Sequence, residues 1–284
     1  MSTKRIHLIA AARPNFMKVA PLFHALQAAP DFSVEIVHTG QHYDANMSDA
    51  FFRDLGLPDP HFHLGVGSGS HAEQTGRTMI EYEKVCLAEN PDCVIVVGDV
   101  NATVAVAMVC AKLGVPVVHL EAGLRSRDRT MPEEINRLMT DAVADLLWTP
   151  SPDGDENLIN EGVSRDKIDR VGNIMIDSFE MMRDRIDAAT TRSDMGLEAG
   201  SYGVVTLHRP ANVDHPDVLA GLVGVLHQCR DLRCKLAVAA AVDDLLDLLQ
   251  RGVVHGELGQ ALAEQQACVA RVAGHLSGHL DRYV

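Results

Sequence analysis

Short apolar runs alternate with helical patterns along most of the chain. The runs Arg5–Ala11, Val34–His38, Val94–Val97, Val115–Leu120, Leu146–Thr149 and Ile168–Val171 carry few polar interruptions. Strands buried on both faces of a parallel sheet read this way. Between them lie stretches with apolar positions three and four apart: Met17–Ala28, Asn46–Leu55, His71–Ala88, Thr103–Leu113, Pro132–Ala144 and the segment from Ser151 to Gly162. The punctuation agrees. Pro14 and Asn15 predict a turn before the first helix, and Gly114 is a helix stop. Pro132 suits a first helical turn. Strand–helix alternation of this kind predicts a doubly wound α/β fold with a parallel sheet.

The alternation changes after Ile174. Ile174–Ala199 reads as a helix running into a charged loop, and the domain boundary is expected there, giving domains 1–175 and 176–284. Tyr202–Leu207 opens a second α/β unit, followed by a helix over Asp214–Leu226. Beyond about Arg230 the character shifts again: Cys234–Val242 is an Ala-rich apolar run, Asp243–Leu249 has a helical pattern, and Gly259–Val284 carries few signals.

This framework places acids at strand ends. Asp99 follows Val94–Gly98 and Glu121 follows Val115–Leu120, so neighbouring parallel strands would bring both to the edge where open α/β sheets bind ligands. Burial there would raise the Asp99 pKa and suit a general acid or base; capping the next helix is the competing role. Glu121 is either a second acid or half of an ion pair with nearby Arg125. Glu133 and Glu134 open the Pro132 helix, where the dipole alone favours acids. Arg13 and Lys18 flank the first strand–helix turn and suit a phosphate or a solvated helix start. His208 and Arg209 end Tyr202–Leu207 and offer a proton donor and a bidentate phosphate ligand. His119 shares a strand face with Glu121, and a hydrogen-bonded core histidine is expected of it. The Gly/Ser-rich segment His61–Ser70 lacks the strand–turn–helix setting of a dinucleotide site. His61, His63 and His71 show no metal spacing.

Composition narrows the partners. The chain has 284 residues, 46% hydrophobic but only 4% aromatic, so aliphatic side chains must fill its core. A formal charge of −14 argues against nucleic acid. The six cysteines follow no metal pattern and suit buried free thiols. Neither a signal peptide nor an apolar run of membrane-spanning length is seen, so a cytoplasmic protein is expected.

Taken together, A-R-P-N-F-M-K-V-A-P-L, T-G-Q-H-Y-D, V-G-D-V-N-A-T, H-L-E-A-G-L-R-S, M-P-E-E-I-N-R, V-G-N-I-M-I-D and V-T-L-H-R-P-A-N-V-D resemble the non-hydrolysing UDP-N-acetylglucosamine 2-epimerases over about residues 4 to 230. The resemblance implies a glycosyltransferase-B-like fold: two Rossmann-like domains with parallel sheets and the nucleotide sugar between them. It implies interconversion of UDP-GlcNAc and UDP-ManNAc, as part of cell-surface polysaccharide synthesis, by a homodimer that needs no cofactor. By motif, Asp99, Glu121, Glu133 and His208 match the catalytic residues; Arg13, Lys18, Asn136, Arg137 and Arg209 match substrate-binding positions. A hydrolysing relative releasing ManNAc and UDP shares most of these motifs. The family's P-V-H-P strand end and S-G-G-x-x-E-E stretch are not found after Cys234. The expectation is therefore an incomplete second domain, with slow turnover or simple nucleotide-sugar binding.

Overall fold

The structure, a computed structural model, describes residues 3–40, 52–200, 202–207, 212, 214–230 and 235–240. Contacts among them separate into two compact units, one ending at Ser178 and the other beginning at Phe179.

The first unit is built on a seven-stranded parallel sheet. Its strands are β1 (Lys4–Ala10), β2 (Phe32–His38), β3 (Phe62–His63), β4 (Cys93–Val97), β5 (Val117–Leu120), β6 (Leu146–Thr149) and β7 (Ile168–Arg170). They lie in the order β3-β2-β1-β4-β5-β6-β7. The order reverses direction at the β1/β4 junction, and it is outside the carboxyl ends of the strands at such a switch point that open α/β sheets bind ligands. Every residue of β4, β5 and β6 is buried, which is why those segments read as unbroken apolar runs.

The helices around the sheet are α1 (Arg13–Ala28), α2 (His71–Glu89), α3 (Asn101–Leu113), α4 (Pro132–Val143), α5 (Pro152–Asn160) and α6 (Ile174–Ala188), the last running on past Ser178. A short α7 (Thr191–Asp194) follows in the second unit. Local chemistry sets their ends. Ser70 Oγ accepts the Glu73 N–H while the Glu73 carboxylate accepts the Ser70 N–H at 2.9 Å, a reciprocal cap on α2. Asn90 ends α2, and Gly114 ends α3, both in the left-handed region. On one side of the sheet Tyr82, Cys86, Val106 and Cys110 pack with Val94, Val96, Val117 and Leu147 into one core cluster.

The second unit contains β8 (Tyr202–Leu207), α8 (Pro216–Arg230) and β9 (Lys235–Ala240), with β8 and β9 paired in parallel from Tyr202↔Lys235 to Leu207↔Ala240. The Ala-rich run after Cys234 is thus a strand of the second sheet. Its small side chains hid the β preference that the pairing reveals.

One local reading is corrected. Arg13-Pro14-Asn15 is not a turn preceding the helix; it is the first turn of α1. Proline is tolerated there because N–H groups in a first turn have no intrahelical partner. Asn15 Oδ1 accepts the Ala12 N–H at 3.0 Å and holds the chain entry. The helical pattern at Asn46–Leu55 lies largely outside the described residues, as does all of Asp243–Leu249.

Candidate functional site

Two strand ends beside the β1/β4 junction carry the acids. β4 runs into Gly98 and Asp99. β5, paired with β4 through Val97↔Leu120, runs into Glu121. The Gly98 N–H donates to Leu120 O at 3.0 Å, so the ladder continues to the point where the acids emerge. Gly98 has φ +68, and a Cβ on it would lie 3.4 Å from Glu121 Oε2 and 3.5 Å from Lys18 Nζ. Glycine meets both demands: the left-handed backbone and the space for this pair.

Glu121 has φ 73, a left-handed conformation that costs a side-chain-bearing residue energy. The turn is held by two hydrogen bonds, from the Glu121 and Ala122 N–H groups to Trp148 O, each 3.1 Å. Its carboxylate meets Lys18 Nζ at 2.5 Å, with side-chain exposures of 13% and 18%. The expected pairing of Glu121 with Arg125 is corrected here. Arg125 instead bonds Asp141 Oδ2 at 2.8 Å and clamps Glu161 through Nε and Nη2 at 2.8 and 2.6 Å. Lys18 is therefore not a solvated cation at a helix start. It reaches across from α1 to the end of β5.

Asp99 also departs from expectation. Its side chain is 33% exposed rather than buried among strands, and its Oδ2 accepts Arg137 Nε and Nη2 at 3.0 and 2.7 Å. Nor does it cap α3. The N-cap position is Val100, without a side-chain bond. Thr103 donates its hydroxyl to Val97 O, and the Asn101 amide donates to Gln74 at 2.8 Å. The first turn of α3 thus sets the positive end of its dipole at this edge with no side-chain cap.

Helix α4 brings the remaining residues. Arg137 bridges Asp99 and Glu134, the latter through Nη1 at 2.7 Å. Asn136 donates to the Asp99 carbonyl at 2.9 Å and to Asn101 Oδ1 at 3.2 Å. Asn101 also lies against His71 Nδ1, which joins the start of α2 to the network. Glu133 and Glu134 part company. Glu134 is buried and accepts the Ser126 and Arg127 N–H groups, each at 2.9 Å, as well as Arg137. Burial opposes its charge, but these donors outweigh it and hold its pKa at about 2. Glu133, half-buried in the same first turn, makes no side-chain hydrogen bond or ion pair among the described residues. Arg13 opens α1. His208 and Arg209 lie outside the described residues.

His119 is the core histidine expected, fully buried and bonded at both ring nitrogens. Asn15, Asn101 and Asp141 were not singled out from sequence as parts of this network, and Glu134 was read only as an acid favoured at a helix start. One signal was there to be found. α4 turns Glu134, Asn136, Thr140 and Asp141 inward and leaves Met131, before it, and Met139 exposed. A helix that hides polar residues and shows methionines is holding a network. No group of three or more His, Cys, Asp or Glu side chains suited to a metal ion occurs among the described residues. Nor is any helix among them long and apolar enough to cross a membrane.

Comparison with known proteins gives this geometry a context. Residues 24–250 match the family model described as UDP-N-acetylglucosamine 2-epimerase. The match reaches past residue 230, so the likeness extends through β9, further than the motifs indicated. The UDP-N-acetylglucosamine 2-epimerase of Methanocaldococcus jannaschii is 41% identical over 222 residues, 77% of this chain and 60% of the relative. The UDP-2,3-diacetamido-2,3-dideoxy-D-glucuronate 2-epimerase of Pseudomonas aeruginosa is 43% identical over 226 residues, 79% of this chain and 63% of the relative. The chain thus spans less than two thirds of the length of these curated relatives. The crystal structure of the M. jannaschii UDP-GlcNAc 2-epimerase in complex with UDP-GlcNAc and UDP superposes with a TM-score of 0.75 at 37% identity, covering 88% of this chain and 69% of that one.

Proposed function

The chain belongs to the UDP-N-acetylglucosamine 2-epimerase family, and from that premise we propose that it interconverts UDP-GlcNAc and UDP-ManNAc without net hydrolysis. The C2 proton of the sugar has no adjacent carbonyl and is barely acidic. Its removal has to be coupled to the loss of a good leaving group. A carboxylate takes the C2 proton, the C2–H electrons form the C1=C2 bond, and the C1–O bond breaks to release UDP. The resulting 2-acetamidoglucal stays bound. Protonation of C2 on the other face and return of UDP to C1 complete the exchange. Each step moves only a proton or the UDP group and none transfers a hydride, so this route calls for no nicotinamide.

The observation that carries this reading is the Glu121–Lys18 pair at 2.5 Å, set beside the Gly98-Asp99 turn at the carboxyl edge of the sheet. It joins a proton acceptor to a cation able to follow the charge developing on a diphosphate. Asp99, Glu121 and Glu133 are assigned to proton transfer, with His208 assisting UDP departure. Arg13, Lys18, Asn136, Arg137 and Arg209 are assigned to substrate. In this division residues 1–175 supply the acids and 176–284 the nucleotide grip. A homodimer in the cytoplasm belongs to the same proposal; the buried free thiols Cys86, Cys93 and Cys110 suit a reducing compartment.

The P. aeruginosa relative, at 43% identity, favours a second substrate reading. On that reading the sugar is a UDP-linked 2,3-diacetamidouronate, with the same chemistry at C2. Incubation with each nucleotide sugar in D₂O, followed by proton NMR, tests both. Deuterium at C2 of UDP-GlcNAc, with both UDP-sugars present at equilibrium, is the expected result. Exchange only with the uronate moves the substrate assignment, and free ManNAc with UDP means hydrolysis. Failure to exchange C2 of either sugar refutes the epimerase reading.

A further inference from the structure

Behind the acids sits a buried cluster that the proposed chemistry does not use. His119 is fully buried, two residues before Glu121. Its Nδ1 lies 2.6 Å from Asp141 Oδ1, and its Nε2 lies 2.8 Å from the Gly98 carbonyl oxygen. A carbonyl only accepts, and so does an ionised carboxylate. Both ring nitrogens must then donate, which makes the ring an imidazolium. Burial works against that charge, but Asp141, the Gly98 carbonyl and Glu121 outweigh it and raise the His119 pKa. Asp141 is balanced in turn. Its Oδ2 accepts the Gly123 N–H at 3.0 Å and meets Arg125 Nη1 at 2.8 Å, and its pKa is lowered against the cost of burial by His119 and Arg125.

The placement of the two backbone ends gives the cluster its meaning. Gly98 has φ +68 and directly precedes Asp99. Gly123 has φ +78, lies two residues after Glu121, and is packed so closely that a Cβ would overlap the Gly154 carbonyl. The chain of bonds from the Gly98 carbonyl through His119 and Asp141 to the Gly123 N–H therefore ties together the two acid-bearing turns. Glu121 between them holds a left-handed conformation, which persists only where the surroundings over-determine it.

We propose that His119 is a positioning residue for the C2 proton transfer: held as an imidazolium between the Gly98 carbonyl and Asp141, it fixes the spacing of the turns that carry Asp99 and Glu121. This rests on the reading in which those two acids handle the proton. His119 touches no substrate; it acts through the backbone. The charged groups facing it are Asp141 from α4, and Glu121 from the turn after β5, with Arg125 behind Asp141.

Two measurements on the full chain test the idea. In ¹⁵N-histidine-labelled protein, with the resonance assigned by its loss in His119→Asn, both ring nitrogens should remain protonated at a pH where an ordinary exposed histidine has already lost its proton. A neutral tautomer there overturns the proposal, whatever the activity. In the C2-exchange assay, His119→Asn keeps a donor toward Asp141 and loses the one toward Gly98. It should lower kcat by about 10- to 100-fold while KM and UDP affinity stay within about twofold. His119→Gln, which restores a donor at the ε position, should recover part of the loss. Unchanged kcat, or a loss carried by KM alone, overturns the positioning role and leaves the epimerase reading standing. No exchange by the unaltered chain overturns the epimerase reading itself, and this inference with it.

Discussion

The edge of the sheet and the layer just behind it are made of the same side chains and are built in opposite ways. At the edge, Asp99 is 33% exposed with one ionic partner, Glu121 has one cation, and the Glu133 side chain has no partner among the described residues. Behind it, Glu134 accepts from Ser126, Arg127 and Arg137, and Asp141 from His119, Gly123 and Arg125. Three donors on a buried carboxylate hold it ionised and motionless. That makes a good strut and a poor proton acceptor. On the proposed assignment, donor saturation, rather than the presence of an acid, separates the groups that would work on a substrate from the groups that hold them in place. Glu133 and Glu134 make the point most sharply, since they are adjacent in sequence and fall on opposite sides of it.

The strongest attempt to break this contrast is Glu121→Gln. The amide keeps the shape but loses the charge and the basicity needed to take a proton. C2 exchange should fall by about 10²- to 10⁴-fold, while stability in urea falls by about 1–2 kcal/mol, because Lys18, 18% exposed, is left without its carboxylate. A variant that exchanged within tenfold of the unaltered chain would remove Glu121 from the front row. Glu134→Gln should show the converse. One lost charge among three buried donors is expected to cost about 2–3 kcal/mol of unfolding free energy, with exchange by the folded fraction reduced far less than in Glu121→Gln. If instead Glu134→Gln abolished exchange at full stability, the division between edge and strut would fail.

Gly98→Ala probes the boundary between the two layers. The methyl group would sit 3.4 Å from Glu121 Oε2 on a backbone at φ +68. Backbone strain alone should cost about 1 kcal/mol, and displacement of the Glu121–Lys18 pair should appear as reduced kcat. Equal stability and equal kcat would mean that the pair tolerates movement.

Much of this was legible in the sequence, and what was not has a physical explanation. β5, β6 and β8 are apolar runs and were readable as strands; acids directly after β4 and β5 were readable as an edge, because parallel strands share their carboxyl ends. The partners were not readable. Glu121 and Lys18 are 103 positions apart, and only the β1-β4-β5 order brings them together. Arg125 looked like the partner because sequence shows nearness along the chain, whereas Gly123 turns that segment back against α5 and delivers Arg125 to Asp141 and Glu161. β3 is two residues long and carries no pattern at all. Arg13-Pro14-Asn15 looked like a turn because proline and asparagine favour turns, but the same residues suit a first helical turn, and only the chain after them decides.

The smallest expected effect is the pH dependence of stability, and it separates the struts from another set of buried groups. Glu134 has its pKa at about 2 in the folded chain, below its ordinary value of 4.5. As pH falls, the unfolded chain takes up that proton first. The stabilisation is complete above about pH 4.5 and is lost as pH drops toward 2. His7 and His38 are pushed down to about 4 from 6.5, His7 by burial and then by Arg5 and His61, His38 by burial and then by His63. The unfolded chain protonates these histidines at higher pH than the folded one does. Their share therefore fades earlier, between about pH 6.5 and 4. Urea midpoints measured across this range should decline in two windows. His38→Gln should make the upper window shallower, leaving the share of His7, and should not change the lower one, while Glu134→Gln should make only the lower one shallower. A single decline that both variants shift together would mean that the struts and the buried histidines titrate as one unit, and that the layer behind the acids is not separable from the rest of the core.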